Sequence, residues 1–239
     1  MFGVDMTGDE TLKLGNALYF YTGPKSHYAT FHNVAIGDKG ATLLSGKPLT
    51  QSAVCRVFRD FIGSTTIGGF IPENVLSIGV DSVVWWRKPS PRRVFFKAEK
   101  IGEKSEITPH PGLVFVTRGS EWYVFAVKGK DRPTPQTELY QAPYFNVWHG
   151  GKICTGNVTV PKGNIPDTIR AWESAFFDST FTHPNVKAPD KLVAYRGGSY
   201  SFWKALLNGK RKTFPEKALV SYNEKLILSV ILTNLQGGK

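Results

Sequence analysis

The residue with the clearest chemical potential is Cys154, one of two cysteines in a chain of 239 residues. It ends the phrase YFNVWHGGKIC, just after a glycine pair, in a stretch without helical or strand periodicity. Because an accessible thiol ionises to a nucleophilic thiolate, such a cysteine is a candidate for acyl transfer. Cys55 lies beside the apolar stripe of a predicted helix, and we interpret it as a packed side chain. The two cysteines match no metal or redox spacing, so we expect neither a metal nor a cofactor.

A nucleophilic cysteine usually needs a neighbouring base, and the chain offers five histidines. His149 lies in the same loop as Cys154, and His183 follows the next predicted helix in the phrase DSTFTHPN. Neither histidine stands in a recognisable cysteine-protease context, and His149 is typical of a solvated loop residue. Asn146 precedes Cys154 by eight positions and, taken alone, is typical of a loop asparagine that bonds its own backbone.

Strands are predicted before this loop. Stretches rich in β-branched and aromatic residues predict strands in the first 45 residues and in NVLSIGV, SVVWWRK, RRVFFKA and GLVFVTRGSEWYVFAVKG. The last stretch predicts an antiparallel hairpin across Arg118-Gly119-Ser120. Between the two groups of strands, apolar residues at helical spacing predict a helix capped by Thr50 and ended by Gly63. Its apolar stripe consists of Val54, Val57, Phe58 and Phe61.

Helices are predicted after the loop. Residues 130–164 lack regular periodicity, and an irregular stretch of that length in a compact domain is usually functional. IPDTIRAWESAFFDS then predicts a helix whose buried stripe holds Ile169, Trp172 and Phe176. SYSFWKALLNG predicts a second helix, and residues 223–235 predict a third. Strands followed by helices are typical of an α+β fold with an antiparallel sheet.

The net charge of +11 and the hydrophobic fraction of 41% indicate a basic protein with a sizeable core. The basic residues cluster at 87–104 and 204–217, which fits a solvated surface, an acidic protein partner or nucleic-acid phosphate. The sequence has no base-reading motif. Its start lacks a secretory signal and its longest late apolar run is too short for a bilayer, so we expect a cytoplasmic protein without a membrane partner.

The loop resembles the active-site loop of ubiquitin-conjugating enzymes. That family carries His-Pro-Asn, then a glycine three residues before the catalytic cysteine and an aliphatic residue beside it. Asn146, Gly151, Ile153 and Cys154 match this pattern, with the same spacing of eight between asparagine and cysteine. The phrase departs from the family at Tyr144 and Phe145, which replace the His-Pro pair.

A closer resemblance is to a prokaryotic conjugating-enzyme-like family, PRTRC system protein B, which belongs to a bacterial, often plasmid-borne cassette. It rests on VLSIGVDSVVWW, on RPTPQTELYQAPYFNVWHGGKICTGN and on AWESAFFDSTFTHPN, and covers residues 75–185. It implies an α+β, ubiquitin-conjugating-enzyme-like fold with an antiparallel strand meander and flanking helices. We expect residues 1–48 to form a strand-rich extension packed on the core and residues 49–239 to form the conjugating domain with C-terminal helices.

The resemblance also implies roles. Cys154 would accept a ubiquitin-like protein from a ThiF-like activating enzyme as a thioester and pass it to an amine. Asn146 would stabilise the oxyanion or hold the loop, and the DSTFTHPN loop would return to the thiol with Asp178 or, preferably, His183.

Two further expectations concern the loop itself. Lys152 would modestly raise the thiolate fraction of Cys154. Tyr144 and Phe145 would support the loop by packing, in place of the His-Pro pair, and their presence leaves the catalytic competence of Cys154 open.

Two other functions stay open. The first is a non-catalytic binding module of the same fold, and the second is a basic, nucleic-acid-associated plasmid factor. A thiol-sensitive adduct on Cys154 favours catalysis, whereas salt-dependent retention of DNA favours the nucleic-acid factor.

Overall fold

The computed structural model describes residues 3–5, 11–24, 27–37, 40–50, 52–54, 70–79, 81–156, 158–209 and 211–236. The chain divides into two compact units, Met1–Gly69 and Phe70–Lys239. The predicted boundary after residue 48 therefore lies inside the first unit.

The first unit consists of short antiparallel strands. They are β1 (Gly3–Asp5), β2 (Thr11–Lys13), β3 (Asn16–Thr22), β4 (His27–Gly37), β5 (Gly40–Leu43) and β6 (Lys47–Pro48). Strand β1 pairs with β2, and β4 pairs with β3, β5 and β6. The β-branched and aromatic residues of this region thus form strands, as their composition predicts.

The start of the predicted helix after Thr50 is confirmed. Residues 52–54 are helical, the Thr50 hydroxyl accepts a hydrogen bond from the Ala53 N–H at 3.3 Å, and the Thr50 carbonyl accepts one from the Val54 N–H at 3.0 Å. Thr50 therefore caps the helix. The rest of the predicted helix, including Cys55 and Gly63, lies outside the described residues.

The second unit is built on a five-stranded antiparallel sheet. Its strands are β7 (Val75–Ile78), β8 (Ser82–Arg87), β11 (Gly112–Arg118), β12 (Glu121–Val127) and β13 (Tyr140–Gln141), in the order β13-β12-β11-β8-β7. Strands β11 and β12 form the predicted hairpin, with Arg118 paired to Glu121.

The other three strands form a separate sheet. Strand β9 (Arg92–Ala98) pairs antiparallel with β10 (Gly102–Thr108) and parallel with β14 (Thr180–Phe181). The strands therefore do not follow one another as a single meander, because β8 pairs directly with β11. The burial of the strands fits this pairing: β8 and β11 are buried on both faces, whereas β9 alternates buried with partly exposed residues and β10 is mostly exposed.

Four helices complete the described part of the second unit. They are α1 (Ile169–Phe177), α2 (Pro189–Leu192), α3 (Gly198–Leu207) and α4 (Leu228–Gln236), with 3-10 turns at Pro166–Thr168 and Glu216–Ala218. The predicted stripe of Ile169, Trp172 and Phe176 is buried. None of the helices in the described ranges is long and apolar enough to span a membrane.

Two hydrophobic clusters sandwich the five-stranded sheet. One face, with Trp85 and Phe115, packs with α1 and α3 in the larger cluster. The opposite face, with Trp86 and Val114, packs with the apolar residues of α4 in the smaller one. Alternate residues of β8 and β11 thus enter different clusters, which explains why both strands read as continuous apolar runs.

Candidate active site

The YFNVWHGGKIC segment forms a small hairpin. The Cys154 N–H donates to the Asn146 carbonyl at 2.7 Å, and the Trp148 N–H donates to the Lys152 carbonyl at 2.8 Å. Val147 and Ile153 form a β-bridge between these two bonds. Asn146 and Cys154 are therefore cross-strand partners, and with the turn present at His149 and Gly150 this pairing places them eight positions apart.

The hairpin presents its two faces to different surroundings. Val147 and Ile153 are buried in the larger hydrophobic cluster. Since successive side chains of a strand point to opposite faces, Asn146 and Cys154 project together from the other face. Side chains directly opposite each other have Cβ atoms about 4.5–5.5 Å apart. Both are half-buried, so the thiol lies beside the Asn146 side chain and within reach of solvent.

Gly151 connects the hairpin to strand β12. Its φ of +88° favours glycine, and its carbonyl accepts a hydrogen bond from the Val124 N–H at 2.9 Å. A Cβ added there would lie 2.6 Å from the Phe125 ring and 3.0 Å from the Val124 carbonyl oxygen. Gly150 has the same φ with nothing within 4 Å of its Cβ position. Close packing thus requires a glycine at position 151 specifically.

Asn146 and Cys154 face a cleft of about 920 Å³. Its walls come from the chain between Cys154 and Pro161, from α1 and from the segment between Asp178 and Asn185. Four predicted site residues meet here: Asn146, Cys154, Asp178 and His183. The other predicted site residues do not line the cleft: Tyr144 and Phe145 are buried in the core, and Gly151 and Lys152 lie in the hairpin outside the lining.

The end of α1 holds the Asn146 amide. Asn146 Nδ2 donates to the Ser179 hydroxyl at 3.4 Å, and that hydroxyl donates to the Phe176 carbonyl at 2.6 Å. Asn146 Oδ1 is buried and finds no donor among the described residues. Sequence reasoning did not identify Ser179, because nothing local marks a serine after a helix as a hydrogen-bond partner of a loop 33 positions earlier.

The DSTFTHPN segment runs back along the site, as the resemblance implies. Thr180 and Phe181 pair with strand β9, and the Asn185 N–H donates to the Phe145 carbonyl at 2.8 Å. His183 is exposed, and its Nδ1 lies 2.9 Å from the Thr182 hydroxyl. The structure therefore places His183 in the same cleft as Cys154. Its role as a base stays a prediction.

Asp178 ends α1 at the mouth of the cleft. Its N–H donates to the Ser174 carbonyl at 2.9 Å. Its carboxylate lies 3.9 Å from the Arg92 guanidinium and is largely exposed, so that ion pair contributes little to stability.

Tyr144 and Phe145 lie in the core behind the site. Phe145 packs edge-on against Phe96 and Tyr200, with ring centroids 5.3 and 5.1 Å apart. Tyr144 is fully buried, its hydroxyl lies 2.8 Å from His110 Nδ1, and burial raises its pKa. Both side chains thus pack where the resemblance places His and Pro.

The Lys152 ammonium forms an ion pair with Glu121 of strand β12. The ammonium lies 2.8 Å from the Glu121 carboxylate, and both side chains are about half exposed. The hydrogen bond to Glu121 raises the pKa of Lys152, and the same bond lowers the pKa of Glu121. The structure therefore pairs the charge of Lys152 with Glu121, and its predicted influence on the thiol stays to be tested.

The described residues offer no cluster of three or more His, Cys, Asp or Glu side chains arranged to hold a metal ion. The cleft brings together a half-buried thiol, amides, hydroxyls, an imidazole and a carboxylate.

Comparison with known proteins identifies the family of the chain. The model of prokaryotic E2 family D matches residues 56–222, which is more than half of the chain and includes every residue of the candidate site. None of the curated proteins and none of the solved structures compared with the chain matches it. The chain belongs to prokaryotic E2 family D, which confirms the resemblance to prokaryotic conjugating-enzyme-like proteins.

Proposed function

We propose that Cys154 accepts the C-terminal carboxyl group of a ubiquitin-like protein as a thioester and passes it to an amine. The observation that carries this proposal is the cross-strand pairing of Asn146 and Cys154, which aims both side chains into one open cleft. A bulky acyl donor can reach a thiol there, whereas it cannot reach one inside a packed sheet.

The chemistry has two steps. In the first, the Cys154 thiolate attacks the thioester carbonyl of a ThiF-like activating enzyme, the new C–S bond forms, and the thiolate of the activating enzyme leaves. In the second, an amine nitrogen attacks the carbonyl carbon, the C–N bond forms, and the C–S bond breaks to return the Cys154 thiolate. Both steps pass through a tetrahedral intermediate with a negatively charged oxygen.

The attacking nitrogen must lose a proton in the second step, and His183 is the base that we assign. Its imidazole lines the cleft, and imidazole takes up protons near neutral pH. The Asp178 carboxylate lies on the same segment and would attract a cationic amine toward the cleft.

The test combines the protein with the activating enzyme and ubiquitin-like protein of a PRTRC cassette and ATP, followed by a non-reducing gel. We expect an adduct that thiols remove, that disappears in Cys154→Ala and that becomes a thiol-resistant oxyester in Cys154→Ser. Cys55→Ser, which alters the other cysteine, is the matched control and should keep the adduct.

If the wild-type protein forms no adduct, a binding measurement distinguishes the two remaining functions. If the folded wild-type protein forms no adduct but still binds the ubiquitin-like protein, it is a binding module. If it forms no adduct but is retained on DNA in a salt-dependent way, the basic surface binds nucleic acid.

A further inference from the structure

Strand β10 forms an open edge of the smaller sheet of the second unit. That sheet has the order β10-β9-β14, and no strand among the described residues pairs with the second edge of β10. The strand runs over seven residues, and Glu103, Lys104, Ser105 and Ile107 are exposed. Because an open edge presents a row of free backbone N–H and C=O groups, a further strand can pair along it.

A side-chain hydrogen bond shows which backbone groups point away from β9. The Ile107 N–H donates to the Glu106 carboxylate at 2.8 Å, so it is not spent on the ladder between β9 and β10. In an antiparallel ladder, every second residue directs its N–H and C=O groups to the same neighbouring strand. The backbone groups of Glu103, Ser105 and Ile107 therefore face the open edge.

The charges along β10 complement a second copy of the same strand in one register. If two copies pair antiparallel about Ser105, all seven residues are paired, from Gly102 opposite Thr108 onward. Lys104 then stands opposite Glu106 of the second copy, and this contact occurs twice. Sliding one copy by two residues brings Lys104 opposite Lys104, or Glu106 opposite Glu106. Since opposite charges across a strand pair stabilise it and like charges destabilise it, the charges favour the fully paired register.

We infer that two copies of the chain associate through β10, paired antiparallel about Ser105, to form a sheet of the order β14-β9-β10-β10-β9-β14. In this arrangement the Glu106 carboxylate exchanges the Ile107 N–H for Lys104 of the second copy. The Ile107 N–H then bonds to the Glu103 carbonyl of the second copy. This inference does not rest on the proposed thioester function. Two edges of seven residues make a small interface, so the dimer should dissociate on dilution.

The position of the cleft is compatible with this dimer. Thr180 of β14 lines the cleft, and β14 pairs with the strand edge of β9 that is opposite to β10. The shared edge and the cleft of each copy therefore lie on opposite sides of β9. A dimer of this kind leaves the path to Cys154 to the outer ends of the sheet.

The test measures sedimentation velocity of the full chain over a wide range of protein concentration. We expect a monomer–dimer equilibrium for the wild type. Lys104→Glu and Glu106→Lys each place like charges across both contacts and should weaken the dimer at least about tenfold. These variants change the net charge in opposite directions, so a general charge effect cannot explain a loss in both. The double variant Lys104→Glu/Glu106→Lys, and an equimolar mixture of the two single variants, restore opposite charges and should dimerise like the wild type.

A cross-link tests the register in a chain whose Cys55 and Cys154 are replaced by serine. Ser105→Cys stands opposite its own copy with Cα atoms about 5.5 Å apart, so oxidation should join two chains by a disulfide. Glu103→Cys stands opposite Ile107, about 13 Å from its own copy, and should not cross-link. Thermal unfolding establishes that each variant is folded.

Three results would each overturn the inference. The first is a wild-type chain that stays monomeric at every concentration. The second is a double variant that dimerises no better than the single variants. The third is cross-linking of Glu103→Cys as readily as of Ser105→Cys. The thioester assay on Cys154 is separate, so failure of the dimer leaves the proposed function standing, and failure to load Cys154 leaves the dimer standing.

Discussion

The hydroxyl of Tyr144 donates a 2.8 Å hydrogen bond to Nδ1 of the buried His110. The other ring nitrogen of His110, Nε2, lies 3.1 Å from the Arg92 carbonyl, which can only accept, so Nε2 carries the proton and Nδ1 is the acceptor. Burial lowers the pKa of His110 from 6.5 to about 4, consistent with a neutral ring. An imidazole therefore supports the active-site hairpin here as well. It comes from the connection between β10 and β11, and not from a His-Pro pair within the loop.

Removing the Tyr144 hydroxyl should destabilise the protein. Tyr144→Phe leaves His110 Nδ1 buried without a donor, and an unpaired buried acceptor costs about 1–3 kcal/mol. Urea unfolding monitored by tryptophan fluorescence measures this loss. In a double-mutant cycle with His110→Phe, the two changes should couple by more than about 0.5 kcal/mol. Additive effects would show that the pair contributes no interaction energy.

The same histidine predicts a pH dependence of stability. The pKa of His110 is about 4 in the folded protein and 6.5 when the ring is exposed. Below pH 6.5 the unfolded chain therefore binds a proton that the folded protein does not bind. Its stabilising contribution is therefore complete above pH 6.5 and is lost as the pH falls toward 4, in total about 3 kcal/mol. Unfolding free energies measured at intervals from pH 7 to pH 4 test this.

Two variants isolate the contribution of His110. His110→Asn should flatten the pH dependence of stability between pH 6.5 and 4, whatever its effect on stability at pH 7. His149→Gln, which changes an exposed histidine, should retain the wild-type slope. Equal slopes in all three proteins would show that His110 does not titrate in this window.

The two glycines of the hairpin form a matched pair for mutation. Alanine at either position is strained, because both φ angles are +88°, and this costs about 1–2 kcal/mol. Gly151→Ala also drives a methyl group against Phe125 and the Val124 carbonyl, so it should cost about 1–3 kcal/mol more than Gly150→Ala. Chemical denaturation gives the difference, and equal losses would contradict the packing argument.

The Lys152–Glu121 pair predicts a small effect on the thiol. Because the ammonium is bound to Glu121, Lys152→Ala should change the rate of Cys154 alkylation by iodoacetamide less than about twofold. Glu121→Gln, which frees the ammonium, serves as the companion variant and should alkylate at least as fast as the wild type. A several-fold decrease in Lys152→Ala would instead restore Lys152 as an activator of the thiol.

Local patterns in the sequence predicted local structure. The stripe of Ile169, Trp172 and Phe176 becomes the buried face of α1, and the Arg118–Glu121 turn joins β11 to β12. These features depend on residues that are neighbours in the chain. The asparagine–cysteine spacing likewise marked the hairpin, because its pairing is also local.

Long-range partners were not predictable in the same way. His110, between two prolines, gives no sign that it bonds to Tyr144, 34 positions later, and nothing local tells that β9 leaves the main sheet to pair with β14. The hydrogen bond from Asn146 to Ser179, 33 positions later, is likewise not marked by anything local to either residue. Hydrophobic periodicity predicts which face of a helix or strand is buried, but not which residues pack against that face.

The tip of the active-site hairpin also affects how related sequences can be found by a motif search. Since Cys154 is positioned by its bond to Asn146 and by the fit of Gly151 against β12, the exposed tip at His149 and Gly150 is free to vary in length. Relatives with one or two residues inserted at this tip would keep the thiol in the cleft while their asparagine and cysteine stand nine or ten positions apart. A motif search with a fixed interval would discard them, whereas one anchored on the two buried flanks, Val147 and Ile153, would retain them.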